Sequence, residues 1–435
     1  MSTSEATAPP SARRTPGTYV LSLTVENVRC FGPAQTLNLS DGNGRHARWT
    51  VILGENNTGK TTLLTCLAGL SGRRRDLDVT VSVWGVEEDW EDLVRGTGDL
   101  EGRAKADFIF PEGSRREVEL RFGRRDHGGV ARLSARLAPM ELVLFQYGAS
   151  RRMPRPQGLG DDGGFARIFL DEDVVLRDPQ DWLLTADYNA RLHGGDGKRF
   201  ETFSRRVREA LIRILPEVGR IRIRAADAPG GSPRVEAQTP DGWVPLRRLG
   251  FGYQSQIAWL VDFASRMFER YPDSPDPLAE PAIMLVDEID LHMHPRWQRQ
   301  IIGYLTERCP NTQFIVTAHS PLVVQAATGA NVVLLRREGN HVVIDNNPEV
   351  LSNWRVDQIL TSELFGLDSA RPPQIEAPLK ERRTLLAKPK LSSRDRKRLA
   401  ELEAQIGNLP AGESAEDRRA MDLIRRAAEK LQSGK

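Results

Sequence analysis

The chain has 435 residues, with 61 Lys and Arg against 59 Asp and Glu and only three cysteines. That length holds two or three domains, or one α/β core carrying insertions. The near-zero charge balance excludes a molecule-wide field for attracting nucleic acid and leaves only local patches. Cys30, Cys66 and Cys309 are far apart in apolar surroundings, which suits buried thiols of a reducing compartment rather than a disulfide frame or a metal site. No apolar run approaches the ~18 residues that span a bilayer, so a cytoplasmic location without membrane contact is expected.

In chain order, residues 1–17 lack the apolar centre of a secretion signal and read as a disordered tail. Tyr19–Glu26 and Gln35–Leu39 have strand composition, and Trp49–Leu53 reads as a buried strand feeding a helix over Lys60–Gly69. After Arg73, Arg74 and Arg75, antiparallel strands are predicted at Val79–Trp84, Ala106–Phe110, Glu117–Phe122 and Ala131–Leu137, with an apolar strand at Leu142–Tyr147. Arg151–Gly164 is a Pro- and Gly-rich loop, Asp178–Leu192 and Arg199–Leu215 are helices, and Val218–Arg224, Pro233–Gln238 and Trp243–Leu246 return to strand. From Gly252 the pattern becomes the dense α/β alternation of a parallel sheet. A helix over Tyr253–Glu269 is followed by a strand at Ala282–Val286, a helix over His294–Arg308, and strands at Gln313–Thr317 and Asn331–Arg336. A polar connection, Asn347–Leu367, leads to a helical tail from about Pro378, where Ser414 and Asp417 make a capping box.

Two segments carry the chemistry. Gly54, Glu55, Asn56, Asn57, Thr58, Gly59, Lys60 and Thr61 fit the pattern G-x-x-x-x-G-K-[ST], in the strand–loop–helix order such a loop needs. Its N–H groups, extending to Thr62, are expected to cradle the phosphates of ATP. Lys60 would reach the β/γ oxygens and Thr61 would offer its hydroxyl to Mg²⁺. Far downstream, Asp287 and Glu288 end an apolar strand, so both should face the edge that holds the loop. Asp287 is expected to hold Mg²⁺ through water and Glu288 to polarise the attacking water. His319 follows the next strand and should emerge at the same edge, placed to sense the γ-phosphate. Leu249–Gln254 (LGFGYQ) is a small-residue helix start able to meet phosphate, and Gln146 is a weak polar signal after a buried strand.

Together these residues resemble the ABC-type ATPases of the DNA-repair and chromosome-maintenance branch, the RecF, SMC and OLD-like AAA proteins, rather than transporters. VENVRCFG is similar to that branch's opening strand, where a basic residue, here Arg29, meets the nucleotide, and DEIDLHMHP is similar to its DEPExHLHP stretch. The resemblance covers about 19–70, 142–152 and 246–336. It implies an α/β fold: a P-loop ABC-type ATPase head with a mixed, largely parallel sheet, an antiparallel β plus helical insert, and a helical C-terminal tail. The head would be 18–70 and 246–345, with 142–152 contributing, the insert 71–245, and the tail 346–435. The resemblance further implies that Gln146 joins the Mg²⁺ ligands. It also implies a homodimer or higher homo-oligomer whose heads sandwich ATP, with Gly250, Gly252 and Gln254 of one chain facing the loop of the other. Departures are Gly250 at the signature serine, which removes a hydroxyl from the partner's γ-phosphate, and Asp290 in place of Glu.

NWRVDQILTSELFGLDSARPP and the charged tail resemble the ends of stand-alone bacterial defence ATPases of Septu systems and some retrons, in which the ATPase works beside a small HNH nuclease. With no second catalytic constellation in this chain, the expected function is an ATPase that controls a separate nuclease effector in anti-phage defence. The alternatives are a repair ATPase acting directly on DNA and a non-hydrolysing module that ATP stabilises. Lys380–Arg398, with nine basic and two acidic residues, leaves nucleic acid open as a ligand, although a solvated helix face or partner surface is the preferred reading. Two apolar stripes of the tail, Leu399, Leu402 and Ile406, then Leu423, Ile424, Ala427 and Leu431, are candidates for a partner groove.

Overall fold

The computed structural model describes residues 16–70, 93–95, 101–123, 130–133, 142–149, 176–192, 197–215, 218–225, 233–240, 242–348, 354–367, 369–388 and 392–406. The expected strand Val79–Trp84, the arginine turn 73–75, the loop with Arg151 and Arg152, and the second tail stripe lie outside them. Strands β1 (Tyr19–Glu26) and β2 (Gln35–Asn38) precede β3 (Trp49–Gly54), which runs into α1 (Lys60–Gly69). Next come β4 (Glu101–Ile109), β5 (Arg115–Gly123), β6 (Val130–Leu133) and β7 (Leu144–Tyr147). Helices α2 (Pro179–Leu192) and α3 (Gly197–Ile214) lead to β8 (Arg220–Arg224), β9 (Arg234–Thr239) and β10 (Gly242–Pro245). The long helix α4 (Phe251–Arg270) precedes β11 (Ala282–Val286), α5 (Pro295–Gln298), α6 (Ile301–Arg308), β12 (Thr312–Thr317), α7 (Pro321–Ala326), β13 (Asn331–Glu338), β14 (His341–Asp345) and α8 (Val356–Leu360).

A six-stranded mixed sheet of order β14-β13-β3-β12-β11-β7 forms the centre. All of its pairings are parallel except β13–β14. Its inner strands β11 and β12 are buried at every position, as expected where both faces are covered. Alternation along the strands sends Trp49, Val51, Leu53, Met284, Val286, Phe314 and Val316 to one core, shared with α4 through Ile257, Trp259, Phe263 and Met267. The opposite faces, Ile52, Leu144, Ile283, Leu285, Ile315 and Val333, pack with Leu63, Leu64 and Leu67 of α1 in a second core. Trp49 and Phe314 stack in register with ring centroids 4.1 Å apart.

The antiparallel strands at 101–133 lie within the span 71–245 expected as an insert. They extend a five-stranded sheet of order β2-β1-β4-β5-β6, so they share a sheet with the N-terminal strands and a core with α1. β1 pairs antiparallel with β2 along one edge and with β4 along the other, so both of its backbone edges are hydrogen-bonded. A buried glutamine joins the two sheets. The Gln313 side-chain amide donates to the Val20 carbonyl (2.8 Å) and its carbonyl accepts from the Val20 N–H (2.9 Å). The helix expected over His294–Arg308 is two helices, broken at Arg299 and Gln300.

Residues 367–435 form a separate unit. In it α9 (Pro373–Leu386) and α10 (Ser393–Ile406) pair, and Leu385, Leu399, Leu402 and Ile406 close on one another. The first tail stripe is therefore used inside its own unit rather than left for a partner. Three residues of the basic run are paired locally: Arg398 with Glu381 (2.7 Å) and Glu401 (3.2 Å), Lys388 with Asp395 (2.7 Å), and Arg382 with Glu403 (3.5 Å). That pattern is what a solvated helix pair shows. Among the described residues no helix is long and apolar enough to cross a membrane.

Candidate functional site

The loop from Gly54 to Thr61 leaves the carboxyl end of β3 and enters α1. Asn57 and Gly59 take left-handed backbone angles (φ 62° and 88°), which turn successive N–H groups toward one point, as anion-binding loops do. Gly59 has no room for a side chain. A Cβ there would sit 2.4 Å from Cys30 Sγ and 2.7 Å from the Phe31 ring. Gly59→Ala combines that overlap with left-handed strain of roughly 1–2 kcal/mol, so a lower melting temperature and lost nucleotide binding are expected, read by calorimetry with and without ATP.

Lys60 is buried and bends back over the loop, donating from Nζ to the Gly54 and Glu55 carbonyls, both at 2.8 Å. Burial lowers its pKa, opposed by the charges of Asp287, Glu288 and Asp290. Thr58 ties the loop by donating to the Glu55 carbonyl (2.8 Å), while Glu55, Asn56 and Asn57 are exposed. Thr62 is buried on α1.

Beyond β11, Asp287 meets the end of this loop. The Thr61 hydroxyl donates to Asp287 Oδ2 (2.6 Å) and the Thr317 hydroxyl to Oδ1 (2.5 Å), so two neighbouring elements orient the carboxylate. The Glu288 N–H donates to Thr317 Oγ1 (2.7 Å), and its φ of 48° swings the half-buried side chain out of the strand direction. Strain of this kind in a non-glycine residue gathers at functional sites. Thr317 was not singled out from the sequence. Its signal is faint, a lone hydroxyl closing an apolar strand.

Gln146 lies opposite Leu285 in register and alternates with Phe145 and Tyr147, so it faces the α1 side of the sheet. It is 1% exposed, and among the described residues neither side-chain polar atom has a hydrogen-bond partner. A buried amide left so costs about 1–3 kcal/mol, and such a group points to an unshown ligand. Asp287 extends the next strand on that side, its N–H donating to the Tyr147 carbonyl (2.8 Å). The oxygens of Thr61, Asp287 and Gln146 are the hard donor set that Mg²⁺ accepts, so the residues present fit the metal.

The other candidates are placed less centrally. His319 is exposed, and its N–H donates to both oxygens of Asp290 (3.2 Å), which fixes the turn that carries it. Arg29 (φ 43°) sits on the tight turn whose Cys30 and Phe31 abut Gly59. Arg337, missed from sequence, donates to the Asn57 carbonyl (3.2 Å) from β13. The LGFGYQ start of α4 lies against the segment after the carboxylates: a Cβ on Gly252 would be 2.5 Å from the His292 carbonyl oxygen. Space around Gly250 is open. Gln254 donates its amide to the Arg247 (3.0 Å) and Leu249 (2.7 Å) carbonyls, so that end of its side chain braces its own turn.

Against known proteins, the chain is 27% identical over 332 residues to a Septu protein PtuA of Bacillus mycoides, covering 75% of this chain and 42% of that one. It is 33% identical over 158 residues to the retron Ec83 probable ATPase of Escherichia coli, covering 36% and 28%. The matches thus span less than half the length of these relatives. An SMC head solved in complex with the C-winged helix domain of ScpA aligns with a TM-score of 0.44 at 16% identity, over 75% of this chain and 96% of that one. Residues 49–325, from the phosphate-loop strand β3 into α7, match the family described as AAA domain, putative AbiEii toxin, Type IV TA system, and the chain belongs to that family.

Proposed function

We propose that this chain binds and hydrolyses ATP with Mg²⁺, works as a homodimer or higher homo-oligomer with ATP between its heads, and controls a separate HNH-type nuclease in bacterial anti-phage defence. The observation that carries the ATP reading is the meeting of Thr61, Asp287 and Thr317 beside the phosphate loop, with Gln146 buried and unpartnered on the same side. In this reading Gly54 to Thr62 hold the phosphates and Lys60 turns from the loop carbonyls to the β/γ oxygens. Thr61, Asp287 and Gln146 would hold the metal, which offsets the phosphate charge when bound. Glu288 takes the proton of the attacking water, and His319 lies at the γ-phosphate end. The defence assignment is supported by similarity to a Septu protein and a probable retron ATPase.

Phosphate release by the purified chain, measured with Mg²⁺ and with the metal chelated, tests the enzyme. Metal-dependent turnover supports it, while tight binding without turnover supports the ATP-stabilised module. Co-expression with the neighbouring gene product tests the division of labour, which intrinsic nuclease activity in the pure chain would overturn.

A further inference from the structure

β7 ends the six-stranded sheet and, among the described residues, pairs only with β11. Gln146 within it has no side-chain hydrogen bond among the described residues, so its direction is set by the residues on either side. Both of those side chains reach α4. Phe145 packs edge-on against Phe263, with ring centroids 5.4 Å apart. Tyr147 lies against Trp259 at 5.6 Å, and its hydroxyl donates to Asp262 Oδ2 (2.9 Å). The Tyr147 carbonyl meanwhile accepts the Asp287 N–H (2.8 Å). One residue, directly after Gln146, thus joins the carboxylate strand to α4.

Asp262 is a firmly held acceptor. It is buried on α4. Besides Tyr147, it accepts from Arg266 Nε on Oδ2 (2.7 Å) and from the Arg177 N–H on Oδ1 (3.1 Å). Donors from β7, from the segment before α2 and from α4 itself therefore converge on one carboxylate. Burial and the Asp262 charge hold the Tyr147 pKa well above its usual value, so the phenol remains the donor. Replacing a buried ionic cluster by well-packed apolar residues is often neutral or stabilising, so stability alone does not account for this one. A directional bond does what ring packing does not: it fixes how far the edge strand slides along α4. Groups that orient a metal ligand from behind in this way set metal affinity by about 10–100-fold.

We propose that Tyr147 and Asp262 are positioning residues that hold Gln146 in place for Mg²⁺, an inference that rests on the ATP reading above. The test is titration calorimetry of the full chain with a non-hydrolysable ATP analogue, in Mg²⁺ and in EDTA. The ratio of the two affinities measures what the metal adds. Tyr147→Phe is expected to cut that ratio about tenfold, the low end for groups that orient a metal ligand, with the affinity in EDTA unchanged. Asp262→Asn, which keeps one acceptor oxygen and loses the charge, should act in the same direction and carries the comparison if Tyr147→Phe folds poorly. In a Gln146→Ala background Tyr147→Phe should have little further effect, because it acts through that side chain. Ile257→Val loosens the same core from α4 and should lower the melting temperature while keeping the ratio. An unchanged ratio in folded Tyr147→Phe, an equal loss in Ile257→Val, or the full loss repeated on top of Gln146→Ala would each overturn the proposal. A wild type whose affinity ignores Mg²⁺ would instead remove the metal reading, and this proposal with it.

Discussion

Lys60→Ala is expected to lower ATP affinity by about 3 kcal/mol, roughly a hundredfold, since it removes a charged donor from the β/γ-phosphates. Lys60 Nζ is held by the Gly54 and Glu55 carbonyls, so its amine is already at the mouth of the loop and needs only to rotate. Titration calorimetry reads the affinity, and a melting curve without nucleotide separates lost binding from lost fold. Full affinity in a folded Lys60→Ala protein would show that the nucleotide sits elsewhere. A pH series adds a second check. Burial lowers the Lys60 pKa from the ordinary 10.5, and ATP favours the charged amine. Affinity should therefore fall as pH rises through a value below 10.5.

This site was legible because its parts are written locally. Gly54 to Thr61 is one contiguous loop, and IMLV before Asp287 is an apolar strand whose end must reach the ligand edge. The Thr317 link needed the register of β11 with β12, which no single segment states. Apart from the family resemblance, Gln146 shows in sequence as a polar residue at the end of an apolar strand; its burial without partners among the described residues is a property of the sheet it enters. The pairing of β1 with β4 joins segments far apart in the chain, so local composition assigned β4 to an insert. The α10 stripe failed for the opposite reason: helical spacing shows that a face is apolar, and only α9 shows what it meets.

Glu288→Gln is expected to cut turnover by about 10²–10⁴, the range for a positioned general base, while leaving ATP binding intact. Glutamine keeps the shape and the N–H to Thr317, so the positive-φ turn and the Asp287 carboxylate it adjoins should stay in place. Only the proton acceptor is lost. ATP should then persist in the site, which turns the variant into a probe of assembly. With LGFGYQ beside the His292 segment and open space at Gly250, a second chain's phosphates are expected to dock there and leave ATP between two heads. Sedimentation of Glu288→Gln should therefore move from monomer to dimer on adding Mg²⁺ and ATP. A monomer in both conditions would remove the shared site, and a dimer in both would assign the contact to other surfaces. Wild-type turnover in this variant would take the base away from Glu288 and direct the search to His319, which emerges from the adjacent strand on the turn held by Asp290.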